Sequence, residues 1–317
     1  MKNLLKLSSL LFLSLILFSC SDDDDNGTNP DNNVTIAEFV ANNENYSSLE
    51  AALDAADLTA TLNGDTDYTV FAPDNAAFSK FLADNNFATL ADVPVPLLKN
   101  VLLNHVLQGD LESSDFSTGY VNTLAVYGTS TNNLSLYVNV GSSIQLNGAS
   151  TVSSANIEAK NGTIHAVSSV IPLPTVVTFA TIDPTFSTLT AALTRADQPD
   201  FVATLSATAS PAPFTVLAPT NAAFEALLIE LDVDNLSDID GATLTAALNT
   251  HVIAGANVRA ADLTDGPVTT LGSEIVIDAS APSATDPNDR ISNIIVTNVQ
   301  AINGVVHAID KVLLPQL

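Results

Sequence analysis

Residues 68–78 read YTVFAPDNAAF, and residues 214–224 read FTVLAPTNAAF, 146 positions later. Three further blocks repeat in the same order. Residues 46–57 (YSSLEAALDAAD) match 186–197 (FSTLTAALTRAD), 102–109 (LLNHVLQG) match 248–255 (LNTHVIAG), and 161–174 (NGTIHAVSSVIPLP) match 303–317 (NGVVHAIDKVLLPQL). The offset drifts between 140 and 146, as small loop insertions would produce. A period this long exceeds a solenoid repeat and equals a whole domain. The chain is therefore read as two copies of one domain, residues 34–173 and 174–317. They are joined by the proline-stiffened IPLPT at 171–175, which limits their mutual orientation. Each copy is long enough to bury a core.

The blocks predict an α+β domain. Leu49, Ala52, Leu53 and Ala56 fall at helical spacing, so residues 47–56 read as an amphipathic helix. YTVFAP is a short apolar, β-favouring run stopped by Pro73, with Asp74 as the cap of a following helix; Thr220 takes that place in the second copy. Leu97, Leu98, Val101, Leu102, His105 and Val106 are read as one helical face. LSLYVNV and SIQLNG alternate like hairpin strands, and Asn161-Gly162 and Asn303-Gly304 signal tight turns before a last strand. Helices and a strand thus open each copy, and antiparallel strands finish it.

Ahead of the first copy stands MKNLLKLSSLLFLSLILFSC, two lysines followed by an apolar run and a small residue before Cys20. This is the layout of a secretory signal peptide over residues 1–19, too short and too acidic downstream for a spanning helix. LFSC resembles the lipobox of bacterial lipoproteins. That resemblance implies cleavage before Cys20, a diacylglycerol on its thiol and an acyl chain on its amine. At about 0.8 kcal/mol per buried methylene, such chains make a stable membrane anchor. Residues 20–33 then form an acidic, turn-rich tether. CSDDDD resembles the export tag of some Gram-negative lipoproteins, which implies an outer-membrane protein displayed at the cell surface.

Composition narrows the chemistry. Hydrophobic residues make up 46% and charged residues 14%, a globular rather than a disordered balance. The net charge of −26 repels phosphate backbones, so nucleic acid is not an expected partner. Cys20 is the only cysteine, which rules out an internal disulfide and a Cys-based metal or catalytic pair. All four histidines fall at matched positions, His105 with His251 and His165 with His307. They are read as buried-edge side chains with hydrogen-bond partners. The sharper alternative is that each pair meets and, with a carboxylate, holds a metal or catalyses. Asn75 and Asn221 are read as ties between a helix start and a neighbouring loop. The acidic stretches 232–240 (DVDNLSDID) and 286–290 (DPNDR) lack a calcium-loop pattern and are read as solvated loops. HExxH, GxSxG, GxGxxG and P-loop patterns are absent from the sequence. No catalytic residue, cofactor or metal site is assigned.

YTVFAPDNAAF followed by NGTIHAVSSVIPLP resembles the two signature boxes of the fasciclin (FAS1) domain family, and both boxes occur twice. The resemblance implies a compact wedge of two small sheets with helices along one side. It also implies roles in cell adhesion and extracellular matrix contact. In some animal members a Tyr-His pair in the third block contributes to integrin adhesion. Here the matching dipeptides are Asn104-His105 and Thr250-His251, so neither is carried over as a binding site. The expectation is a non-catalytic surface lipoprotein contacting an extracellular protein or glycan. An accessory ligand- or carbohydrate-binding lipoprotein of an uptake system is the alternative, and a His/carboxylate hydrolase the weakest reading.

Overall fold

The computed structural model describes residues 34–316. The predicted leader, its Cys20 and the tether to residue 33 lie outside the described residues. Domain 1 runs α1 (Ile36–Ala41), α2 (Ser47–Ala55), α3 (Thr59–Leu62), β1 (Tyr68–Pro73), α4 (Asn75–Asp84), α5 (Val95–Leu103), β2 (Val106–Gln108), β3 (Gly119–Val126), β4 (Asn133–Val140), β5 (Ile144–Leu146), β6 (Ser150–Ala159) and β7 (Gly162–Val167). Domain 2 repeats that order: α6 (Val176–Ile182), α7 (Ser187–Leu193), α8 (Phe201–Ser206), β8 (Phe214–Pro219), α9 (Asn221–Glu230), α10 (Gly241–Thr250), β9 (Val252–Ala254), β10 (Gly266–Thr269), β11 (Glu274–Asp278), β12 (Ser283–Thr285), β13 (Ile291–Ala301) and β14 (Gly304–Ile309).

Each domain is α+β with seven strands, ordered β2-β1-β7-β6-β5-β4-β3 in the first and β9-β8-β14-β13-β12-β11-β10 in the second. The two small sheets are joined through the long strands β6 and β13, whose register shifts mark bulges where the sheet bends. β1 and β7 pair in parallel, from Tyr68 with Gly162 to Pro73 with Val167, and β8 pairs with β14 in the same way. The two repeated boxes are therefore neighbours in the sheet. Because side chains alternate along a strand, β1 serves two cores. Val70 and Ala72 join Leu49, Leu53, Phe78 and Leu98 under the helices. Phe71 joins Leu136, Val138, Leu146 and Ile171 on the other side.

Local chemistry sets the helix starts. Asp74 accepts from the Ala77 N–H at 2.8 Å, and Thr220 from the Ala223 N–H at 3.3 Å. Thr35 and Glu38 form a capping box on α1. The acidic stretch 232–240 also contributes caps, since Asp240 accepts from Ala242 and Thr243 at the start of α10.

Two sequence expectations need correction, and one is refined. α5 ends at Leu103, and Val106 belongs to β2, not to the helix. The chain leaves the helix there because β2 pairs with β1, Val106 opposite Val70. The tight turns expected at the Asn-Gly pairs are present before β7 and β14, with Lys160–Asn161 as the two-residue loop between the paired Ala159 and Gly162. Gly162 is required because a Cβ there would collide with the Tyr68 carbonyl; at Gly304 it would collide with that of Phe214. Residues 286–290 are not a solvated loop. Asp286 is buried, accepting from the N–H groups of Asn288, Arg290 and Leu314 and from the Arg290 guanidinium, which also grips Glu230.

The domains meet through the β3–β4 face of domain 1 and α6 of domain 2. The Tyr120 ring stands edge-on to Phe179 at 5.4 Å, and Tyr137 is counted within the domain 2 core. The Tyr120 hydroxyl donates to the Asp183 carboxylate at 2.9 Å; burial, then that charge, hold the phenol far above its ordinary range. The Gln300 N–H donates to Ser135 Oγ at 3.0 Å. Aromatic packing and these buried polar bonds fix one arrangement of the pair.

Candidate functional site

The polar side chains singled out in the sequence all act inside the scaffold. His105 follows α5, and its Nδ1–H donates back to the Val101 carbonyl at 2.7 Å. Its Nε2 accepts from the Ile171 N–H at 2.8 Å. His251 does the same with Ala247 (2.7 Å) and Leu313 (2.9 Å). Each imidazole thus pins the segment after the last strand to the end of a helix. Burial lowers both to about 4, so both are neutral rings with fixed tautomers.

His165 and His307 lie in β7 and β14. His165 Nε2–H donates to the Leu111 carbonyl at 3.0 Å, and Nδ1 accepts from the Asn156 N–H at 3.3 Å. His307 bonds likewise to Val258 (2.9 Å) and Asn298 (3.4 Å). Asn156 and Asn298 sit at the bulges of β6 and β13 with left-handed φ of 59° and 64°. These histidines lock the sheet bend to the loop after β2 or β9, and burial lowers both. Both nitrogens of every ring are engaged, so none is available to ligate a metal or relay a proton. Among the described residues, no group of three or more His, Cys, Asp or Glu is placed to hold a metal ion.

Asn75 Oδ1 accepts from the Ser48 N–H at 2.8 Å, and its Nδ2 donates to the Glu44 carbonyl at 2.8 Å. Asn221 repeats this with Thr188 (2.9 Å) and Pro184 (2.8 Å). Each ties the start of α2 or α7 to the helix after the buried strand. Asn104 is buried and donates to the Pro172 carbonyl at 3.2 Å. Thr250 is buried as well. Neither third-block dipeptide presents a contact surface.

A further polar hub carries only a turn signal in the sequence. Asn161 Oδ1 accepts from the Ile36 N–H at 2.9 Å, and its Nδ2 donates to the carbonyls of Leu62 and Gly64, both at 2.9 Å. Asn303 bonds identically to Val176 (2.9 Å), Leu205 (2.8 Å) and Ala207 (2.9 Å). One buried amide thus stitches the first helix, the third helix and the last hairpin of each domain. The available signal was its recurrence at the head of the second box in both copies.

What remains is surface. By strand register, the Tyr120–Tyr137 pair of domain 1 corresponds to Pro267–Val276 in domain 2. The tyrosines are covered by α6. Val276 is 49% exposed, and the same ladder continues through Thr285 to Ile291, 55% exposed, with Ile295 at 53% two pleats along. Domain 2 thus carries an uncovered apolar sheet face on the side that domain 1 uses for its partner domain.

The fasciclin domain family matches the chain twice, at residues 44–174 and 184–315. Protein sll1483 of Synechocystis is 36% identical over 144 residues, covering 45% of this chain and 76% of that protein. The transforming growth factor-beta-induced protein ig-h3 of Sus scrofa is 28% identical over 273 residues, covering 81% of this chain and 36% of that protein's length. A solved FAS1 domain pair from the insect cell adhesion molecule fasciclin I covers 83% of this chain and 92% of its own, at 19% identity and a TM-score of 0.49. With both domain copies matched over most of the described residues, the chain belongs to the fasciclin domain family as a tandem pair.

Proposed function

We propose that this chain is a surface lipoprotein whose paired fasciclin domains make adhesive, non-catalytic contacts with an extracellular protein or glycan. The observation that carries this reading is the uncovered face of Val276, Ile291 and Ile295. Exposed apolar patches on folded domains mark contact sites, and this one corresponds to a face already used for protein contact in domain 1. The histidines and buried asparagines are consumed by the scaffold, which leaves surface area as the functional resource. The family's association with cell adhesion supports the same reading. Lipid on Cys20 supplies attachment to the outer membrane, and residues 21–33 supply reach.

Cells lacking the protein are expected to lose attachment or aggregation, and the parent chain to restore it. Protease added to intact cells is expected to remove the domains, and Cys20→Ser to release the chain from the membrane fraction. Unchanged attachment in the deletion strain would reject the adhesive role. A chain untouched by protease, or a Cys20→Ser chain still in the membrane, would reject the surface anchor.

A further inference from the structure

A groove of about 760 Å³ lies where the two domains meet. Domain 1 contributes Phe81 from α4 and Leu97, Lys99 and Leu103 from α5, and Pro172 of the linker and Ile302 of domain 2 add apolar surface; Asn85, Asn100, Thr175 and Thr208 are polar members of the lining. Its size falls in the range of small-ligand sites, roughly 300–1,000 Å³, and such sites concentrate at domain junctions. Leu97 is 37% exposed at this edge.

The duplication supplies an internal control. At the offset of 146, α10 of domain 2 takes the place of α5, and Leu97, Lys99 and Leu103 become Thr243, Thr245 and Asn249. The core-facing positions stay apolar: Leu98 and Leu244, Leu102 and Leu248, and Val101 and Ala247 are all buried. Only the copy facing the groove carries the apolar side chains and the lysine. Thr245 is used internally, bonding to Gln198 and Gly241 at 2.7 Å. Among the described residues Lys80, Arg195 and Arg290 each hold a carboxylate, whereas Lys99 has no ion pair and is the one such cation that lines the groove. In a chain of net charge −26, an unpaired ammonium beside an apolar wall selects an anion with an apolar body.

We propose that the groove binds a monomeric aliphatic carboxylate, a fatty-acid-like amphiphile, with its chain along Phe81, Leu97, Leu103 and Ile302 and its carboxylate on Lys99. Titration calorimetry tests this on the soluble chain from residue 21 onward, which keeps every described residue. The probe is dodecanoate below its micelle threshold, with acetate and dodecylamine as controls. One dodecanoate per chain is expected, with no binding of either control. Lys99→Thr, which installs the domain 2 residue, is expected to weaken binding about fivefold, the upper value for an exposed ion pair. Leu97→Thr is expected to weaken it by a similar factor through lost apolar contact. Both positions are exposed, so melting temperature stays at the parent value. Absence of dodecanoate binding, equal binding of dodecylamine, or parent-like affinity in both variants would overturn the proposal. Each of these outcomes leaves adhesion through the domain 2 face unaffected.

Discussion

The two domains keep the same buried polar set and differ on their outer faces. Asn161 and Asn303 make the same three side-chain bonds, and His105 and His251 close the same helix ends. At the junction the copies part. Domain 2 offers Phe179 and Asp183 to the tyrosines of domain 1; domain 1 keeps the phenylalanine as Phe39 but has Asn43 in place of the aspartate. Domain 2 in turn replaces Tyr120 and Tyr137 with Pro267 and Val276. Retained residues are those whose loss would strand buried backbone groups. Divergent residues are those free to define a junction, a groove or a contact face.

The largest effect is expected at the shared hub. Asn161→Ala leaves the Ile36 N–H and two carbonyls without partners and should cost about 4 kcal/mol in urea unfolding; Asn303→Ala should cost the same. Markedly unequal losses would break the equivalence of the two copies. Acid should act on both copies through His105 and His251. Their folded values of about 4 lie below the ordinary 6.5, so the unfolded chain binds protons first as pH falls. Stability is complete above about pH 6.5 and declines as pH falls toward 4. The loss is about 2 kcal/mol per histidine by pH 5, measurable as a falling denaturation midpoint. A flat profile between pH 7 and 5 would contradict the neutral-ring clamp.

The junction is specific to one pairing. Tyr120→Phe deletes a buried bond to a carboxylate and should cost about 2 kcal/mol. It should also raise hydrogen exchange in α6 above that in α1; equal exchange would show that the bond does not hold the pair. The smallest effect is expected at Lys80→Ala, which removes an exposed i,i+4 pair with Asp84 and should change stability by about 0.3 kcal/mol.

Much of this organisation is legible in the residues themselves. Duplication gave the two domains, and the apolar spacing of Leu49, Ala52 and Leu53 gave α2, observed as Ser47–Ala55. The parallel pairing of β1 with β7 is not legible locally, because its partners stand some 94 residues apart and no periodicity encodes which distant strand a strand meets. The same limit hid Asn161, whose three partners lie on two remote helical segments, so its place before glycine suggested only a turn. Val106 shares helical spacing with Leu102 and is drawn into β2 by pairing with Val70. The acidic run at 286–290 looked solvated because Arg290, which neutralises Asp286, is also bound by Glu230 from 60 positions away. At the junction, Tyr120 and Tyr137 were marked by having no tyrosine counterpart in the second copy, a signal that emerges only when the copies are aligned strand by strand.

Adhesion through the divergent face of domain 2 is tested most directly by retention of cells under flow. Cells carrying the parent chain are compared with cells carrying Val276→Thr together with Ile291→Thr, at equal surface amounts and equal melting temperature. Retention of the double variant is expected to fall to that of cells lacking the protein. Retention equal to the parent would contradict the assignment of that face.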